Sequence, residues 1–291
     1  MNQNTKRRLP DWLKRPMPAG NNFNTTSSAV SQLGIETICD SANCPNKGEC
    51  WSRGTATVLI LGNICTRNCK FCSVPKGTPA PPDKTDPQRV AELAKQLKIK
   101  YLVITSVTRD DLPDAGASHF RDVINAVRNS VSPANTLGGS VKFELLVPDF
   151  KSCQTKAIEI LSDALPFVFG HNLETVPRLY KTARCGADYQ ASLKLLEMAK
   201  KLLPQTTTKS SIMLGLGETD DELEQVLKDL RSVNCDRLAI GQYLKPSKTS
   251  LDVAEYIPPE KFDYWSDYAK RLGFSWVMSS PFTRSSYYAE T

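Results

Sequence analysis

Histidine is nearly missing from these 291 residues, with one at position 119 and one at 171. No window approaches 18 uninterrupted apolar residues, so no transmembrane helix is expected. The first 20 residues are basic but lack an apolar centre, which argues against a secretory signal. Pro10, Pro16 and Pro18 argue equally against an amphipathic presequence helix. There is no sequence repeat, no long linker and no appended basic or aromatic-rich segment of the RNA-binding kind. Charge imbalance is small: 37 basic against 31 acidic residues give +6, compatible with an acidic protein partner or a nucleic acid and diagnostic of neither.

Cysteine is what the chain has. Six of its nine cysteines fall within 34 residues as two triads. Cys39, Cys44 and Cys50 form C-x4-C-x5-C, and Cys65, Cys69 and Cys72 form C-x3-C-x2-C. The clustering and the odd total fit metal binding in a reducing, cytoplasmic compartment better than a disulfide framework. Structural zinc wants four protein ligands. A zinc knuckle here would have to borrow its fourth from elsewhere, and neither histidine is nearby. A cubane iron–sulfur cluster held by three cysteines instead leaves one iron open. Two incomplete triads therefore suggest two clusters, each awaiting a ligand that is not cysteine. Cys153, Cys185 and Cys235 stand alone and read as small buried hydrophobes.

Residues 1–33, rich in Asn, Ser, Pro and basic groups, read as an extended arm, and 34–54 show no clear period. Beyond them β-rich runs alternate with helical patterns. Strands are expected at Ala56–Leu61, Tyr101–Val107, Val141–Val147, Pro166–Gly170, Ser210–Leu216 and Arg237–Tyr243. The main helices are expected at Pro87–Leu97, Ser118–Asn129, Tyr189–Leu203, Thr219–Ser232 and Pro259–Leu272, with shorter pieces near Thr155–Leu161 and Val176–Lys181. Thr219 followed by Asp220, Asp221 and Glu222 is a strong helix start. About six βα repeats imply an α/β fold with a parallel sheet, and six units favour a partial (β/α)6 TIM-type barrel over a closed eight-unit one. The second triad directly follows the first strand, on the face where such barrels carry their active sites.

The C-x3-C-x2-C loop, Cys65-Thr66-Arg67-Asn68-Cys69-Lys70-Phe71-Cys72, resembles that of radical S-adenosylmethionine (SAM) enzymes. With the first triad, and with Thr105–Leu112, Glu144–Phe150, His171–Arg178, Met213–Thr219, Gly241–Ser247 and Arg284-Ser285-Ser286-Tyr287, the chain resembles the lipoyl synthase family from about Leu9 to Ala289. It departs from the usual pattern at Ala115, Gly170 and Ser279-Ser280-Pro281, and Ser132–Ser140 looks like an inserted surface loop.

The resemblance implies insertion of two sulfur atoms, at C6 and C8 of a protein-bound octanoyl-lysine, to form the lipoyl cofactor. It implies two 4Fe-4S clusters: one on Cys65, Cys69 and Cys72 that binds SAM, and an auxiliary sulfur donor on Cys39, Cys44 and Cys50. A serine of the Arg-Ser-Ser-Tyr motif completes the auxiliary site. Ser285 and Ser286 both remain candidates, and Ser286 is favoured by its place in the motif. Glu174 fits a ribose contact or a surface carboxylate, and Gly215 and Gly217 fit close approach to adenosine or a plain turn. His171 is expected at a cavity mouth and His119 on a helix surface, while Arg284 fits either an orienting role or a carboxylate pair. The division expected is 1–54 for the auxiliary cysteines, 55–250 for the barrel and 251–291 for the serine motif. Implied partners are octanoylated lipoyl carrier domains of dehydrogenase complexes and of the glycine cleavage H protein, a reduced ferredoxin or flavodoxin, and iron–sulfur assembly factors, with no nucleic acid or membrane. The competing activities are another radical SAM enzyme, such as a transfer-RNA methylthiotransferase, and a zinc-bearing interaction module.

Overall fold

Aliphatic and β-branched runs become parallel strands where both faces of a sheet are covered. The computed structural model describes residues 9–14, 21–131 and 141–290. In it seven strands make one sheet: β1 (Thr57–Ile60), β2 (Tyr101–Ser106), β3 (Lys142–Leu146), β4 (Val168–Gly170), β5 (Thr208–Leu214), β6 (Arg237–Gln242) and β7 (Trp276–Ser279). All pairings are parallel and follow chain order. Ile104 pairs with Leu145, which pairs in turn with Phe169, and this central register is wholly buried. Parallel neighbours need crossover connections, usually helical. Here these are α4 (Asp86–Gln96), α5 (Ala117–Ser130), α6 (Gln154–Ser162), α8 (Tyr189–Leu202), α9 (Asp220–Ser232) and α10 (Pro259–Arg271), with a short α7 (Tyr180–Ala183) preceding α8.

The helices obey their sequence signals. Thr219 and Glu222 close a full capping box at the start of α9, and Leu223, Val226, Leu227 and Leu230 bury one face against the sheet. Each such side chain contributes about 1.5–3 kcal/mol by leaving water. The array is thus six βα units, as expected, followed by a seventh strand that was not expected. Trp276–Ser279 is only four residues long and half-buried along its length, and it directly follows the expected helix Pro259–Leu272. It lies within 251–291, which therefore extends the sheet as well as carrying the serine motif.

The N-terminal region corrects the expectation of an extended arm. Asn21–Gln32 is a helix, α1, despite its poor helix formers. Tertiary contacts hold it: the Phe23 and Trp51 ring centroids are 5.7 Å apart, and Thr26 Oγ1 donates to the Trp51 carbonyl at 2.9 Å. Two short helices follow, α2 (Ile38–Ser41), capped by Thr37, and α3 (Lys47–Ser52). The Leu59 N–H donates to the Glu36 carbonyl at 2.9 Å, so this region covers the outer edge of β1. Ser132–Ser140 lies outside the described residues. Among the described residues no helix is long and apolar enough to cross a membrane.

Candidate functional site

The chain leaves β1 through Leu61 and Gly62, both at positive φ, and enters the loop of Cys65, Cys69 and Cys72. That loop closes on itself, the Cys65 N–H donating to the Pro75 carbonyl at 2.8 Å and the Gly77 N–H to the Cys65 carbonyl at 3.1 Å. The buried Arg67 anchors it. Its Nε and Nη2 donate to the two oxygens of Asp110 at 2.8 Å each, and Nη2 also reaches Asp149 Oδ1 at 2.7 Å. The Cys65 sulfur accepts from the backbone N–H groups of Arg67 and Thr108, each at 3.4 Å. Such N–H donors to sulfur are a known control on cluster properties. Burial pushes the Cys69 thiol up to about 12, opposed by the nearby Arg184 and reinforced by Cys72 and Cys65. Cys72 is raised as well, again mainly by burial.

The other triad is built from α2 and α3. Cys39 lies in α2, Cys44 in the turn that follows and Cys50 in α3. Burial, then repulsion from Cys39 and Cys44, pushes Cys50 up to about 12, and burial raises Cys39. Iron binding opposes this by favouring the thiolates. Among the described residues no three His, Cys, Asp or Glu side chains are grouped as a single metal ion would require.

A cavity of about 440 Å³ opens at the C-terminal ends of the strands. Cys65, Cys69 and Cys72 border it on one side, and Cys39 and Cys44 on another. Arg284, Ser285 and Ser286, which follow β7, line it too. A second, smaller hollow is lined by all three of Cys39, Cys44 and Cys50 with Ser286, but not by Ser285. The serine motif is carried there by a close approach at Gly241, where a Cβ would come within 1.9 Å of the Thr283 carbonyl oxygen.

Polar groups in the large cavity await partners. Ser106 Oγ and Asn172 Oδ1 are buried and unpaired. Glu174 adopts φ +68°, and its backbone bonds to Ser211 and Met213 of β5 keep it in this strained conformation. Burial raises its carboxyl, against the pull of Arg184 and Arg284. It is therefore a cavity group and not an exposed carboxylate. Arg184, which the sequence did not single out, is a buried guanidinium with neutral hydrogen-bond partners: Tyr180 Oη at 2.9 Å, Ser192 Oγ at 3.1 Å and His171 Nε2 at 3.3 Å. An arginine in an irregular turn carries no pattern that would reveal it.

Other candidates resolve differently. His171 is buried at the cavity wall, not at its mouth, with Nδ1 2.9 Å from the Val147 carbonyl. His119 bridges α5 to Asp86 of α4 at 3.2 Å. Gly215 and Gly217 do not line the cavity. A Cβ on Gly215 would instead meet Gln242 and the Glu255 carbonyl within 2.3 Å, so Gly215 serves packing. Of the three single cysteines only Cys235 is fully buried; Cys153 and Cys185 are half-buried.

Comparison with known proteins agrees with this geometry. Residues 59–230 match the radical SAM superfamily, and residues 1–44 match the N-terminal domain of lipoyl synthase of that family. The chain is 49% identical to a lipoyl synthase of Haemophilus influenzae over 97% of its own length and 86% of the relative's. It is 49% identical to a lipoyl synthase of Caldanaerobacter subterraneus, covering 97% and 96%. The fold resembles that of SuiB from Streptococcus suis (TM-score 0.56, 13% identity, 76% of this chain and 48% of that one). It also resembles coproporphyrinogen III oxidase from Escherichia coli (TM-score 0.52, 15% identity, 75% and 52%). The chain spans about half the length of those two structures. Cysteines of both triads facing one cavity on a parallel βα array, and near-half identity along almost the whole chain, lead to one conclusion: this chain belongs to the lipoyl synthase family of the radical SAM superfamily.

Proposed function

We propose that the chain is a radical SAM sulfurtransferase that inserts two sulfur atoms, at C6 and C8, into an octanoyl chain carried on a lysine of a lipoyl carrier domain. The observation that carries this reading is one cavity bordered by Cys65, Cys69 and Cys72 and by Cys39 and Cys44 of the other triad. One site to activate a C–H bond and one to deliver sulfur must face the same substrate carbon.

The residues fit the implied groups. Cys65, Cys69 and Cys72 would hold the cluster that binds SAM. Cys39, Cys44, Cys50 and Ser286 would hold the auxiliary cluster, Ser286 being preferred over Ser285 because it alone lines the small hollow with all three cysteines. A serine oxygen is a harder donor than thiolate, suited to an iron that is later released. With SAM, a cluster at the first site would supply hydrogen abstraction, and one at the second would supply sulfur. The protein's own part is orientation. Glu174 accepts hydrogen bonds from ribose hydroxyls, and Arg184, a buried cation whose hydrogen bonds all go to neutral groups, pairs with the methionine carboxylate. Ser106 and Asn172 offer unpaired polar atoms to the same ligand. Apolar cavity walls such as Leu146, Val147 and Ile212 accommodate an acyl chain and limit water.

Partners follow from this chemistry. They are octanoylated carrier domains of dehydrogenase complexes or of the glycine cleavage system, a reduced ferredoxin or flavodoxin, and iron–sulfur assembly factors, all meeting in the cytoplasm. The test is anaerobic incubation of reconstituted protein with SAM and a reductant, offering an octanoylated carrier peptide or transfer RNA. Sulfur on the peptide together with 5′-deoxyadenosine is the expected result. Modified transfer RNA with an untouched peptide would overturn the proposal in favour of a methylthiotransferase.

A further inference from the structure

Glu49 lies in α3 directly before Cys50, and Tyr287 and Tyr288 directly follow Ser286. These two segments, more than 230 residues apart in the chain, meet at one carboxylate. The Tyr287 hydroxyl is 2.9 Å from both Glu49 oxygens, and the Tyr288 hydroxyl donates to Glu49 Oε1 at 2.8 Å.

Consecutive side chains on an extended chain point to opposite sides. Two neighbouring tyrosines can reach one carboxylate only if the backbone bends between them. Tyr288 sits at φ +50°, and the two rings meet edge to face with centroids 4.6 Å apart. A non-glycine residue stays in the left-handed region only where its surroundings compensate the strain. Here the surroundings are explicit: the Arg53 guanidinium lies 3.9 Å from the Tyr288 ring centroid and pairs with Glu290. On the other side of the motif, Asn46 Nδ2 donates to the Phe282 carbonyl at 2.7 Å. Ser286 is thus fixed from both directions by residues interleaved with the auxiliary cysteines.

We propose that Glu49 is a positioning residue that, through Tyr287 and Tyr288, holds Ser286 against the Cys39, Cys44 and Cys50 triad and so sets how readily the serine leaves its iron. This rests on the assignment of Ser286 as the auxiliary ligand made above. A carboxylate gripping two hydroxyls makes charge-assisted hydrogen bonds, stronger than neutral ones. Replacing Glu49 by glutamine keeps its size and removes the charge. Replacing both tyrosines by phenylalanine keeps the rings and removes the donors.

The experiment reads chelator-driven iron release from the full chain in which Cys65, Cys69 and Cys72 are replaced by alanine, so that only auxiliary iron is followed. Release is expected to be about tenfold faster in Glu49→Gln and in the Tyr287→Phe/Tyr288→Phe pair, the scale of one charged hydrogen bond. Ser286→Ala is expected to release iron at least as fast, and adding Glu49→Gln to it should change nothing more, because the clamp acts through the serine. Should Glu49→Gln fail to fold by circular dichroism, the tyrosine pair carries the test. Release at the parent rate in the clamp variants would overturn the proposal. The same acceleration added on top of Ser286→Ala would overturn it too, because a merely structural effect is additive. If the parent chain in this background binds no iron at all, the auxiliary-site reading fails and the clamp fails with it.

Discussion

Arg67 Nη2 donates to Asp149 Oδ1 at 2.7 Å while Nη1 bonds to the other oxygen, a fork that ties the cysteine loop after β1 to the loop after β3. The same guanidinium grips Asp110 after β2. One side chain inside the C-x3-C-x2-C loop therefore fixes that loop to two neighbouring βα connections.

Removing it should be costly. Arg67→Met leaves Asp149 uncompensated in a buried position, and stability is expected to fall by about 3–5 kcal/mol. Iron held by Cys65, Cys69 and Cys72 should fall in parallel, while Arg67→Lys, with charge but no fork, should recover only part of both. Anaerobic denaturant unfolding and iron analysis check this. An unfolding midpoint unchanged in Arg67→Met would contradict it.

His171 predicts a pH dependence. Burial, seconded by Arg184, lowers it from the usual 6.5 to about 4. Between those values the unfolded chain binds a proton that the folded chain refuses. Its contribution is therefore complete above 6.5 and is lost as pH falls towards 4. From pH 7 to pH 5 the loss is on the order of 2 kcal/mol. His171→Gln should lose that part of the slope, as measured by denaturant unfolding at the two pH values. Equal slopes in variant and parent would contradict the assignment.

The barrel interior holds an ion pair, Lys209 Nζ to Glu144 Oε1 at 2.9 Å, with each side chain 1% exposed and Tyr101 Oη donating to the same glutamate at 2.9 Å. Lys209→Met alone strands a buried carboxylate and should cost about 3–5 kcal/mol. Lys209→Met with Glu144→Leu should restore most of that loss. A double variant as unstable as the single one would show that the pair itself, and not the stranded charge, is what matters.

Much of this architecture was legible beforehand. β2 and β6 carry apolar centres at Leu102–Ile104 and Leu238–Ile240, β3 and β5 end in Leu145–Leu146 and Ile212–Leu214, and Thr219 to Glu222 spells out a helix start, so their positions agreed to within a few residues. β7 was not legible, because its Trp276-Val277-Met278 run is short and directly follows a helical pattern. Nor was α1, whose Asn, Thr and Ser residues oppose a helix until Phe23 and Thr26 find Trp51. The cysteine triads stood out by spacing alone. Arg184 and the Glu49 contacts did not, because each depends on partners brought together only by the fold.

Ala115 offers a test of a departure from the family pattern. It occupies φ +50° and is buried between the β2 loop and α5. A left-handed alanine costs roughly 1–2 kcal/mol, partly offset by glycine's greater loss of freedom on folding. Ala115→Gly is therefore expected to stabilise the protein by about 0.5–1 kcal/mol, read as a raised unfolding midpoint. A lowered midpoint would show that the methyl group's packing outweighs the strain.

The central claim is that the Cys39, Cys44 and Cys50 site is the sulfur source for chemistry started at the Cys65, Cys69 and Cys72 site across the shared cavity. The most direct measurement reconstitutes the protein anaerobically with heavy-isotope sulfide and removes free sulfide. One turnover on an octanoylated carrier peptide is then run with SAM and reductant in unlabelled buffer, and the product is weighed by mass spectrometry. The account predicts two heavy sulfurs in the lipoyl product, and none when Cys39, Cys44 and Cys50 are replaced by alanine. A product carrying only light sulfur would contradict it.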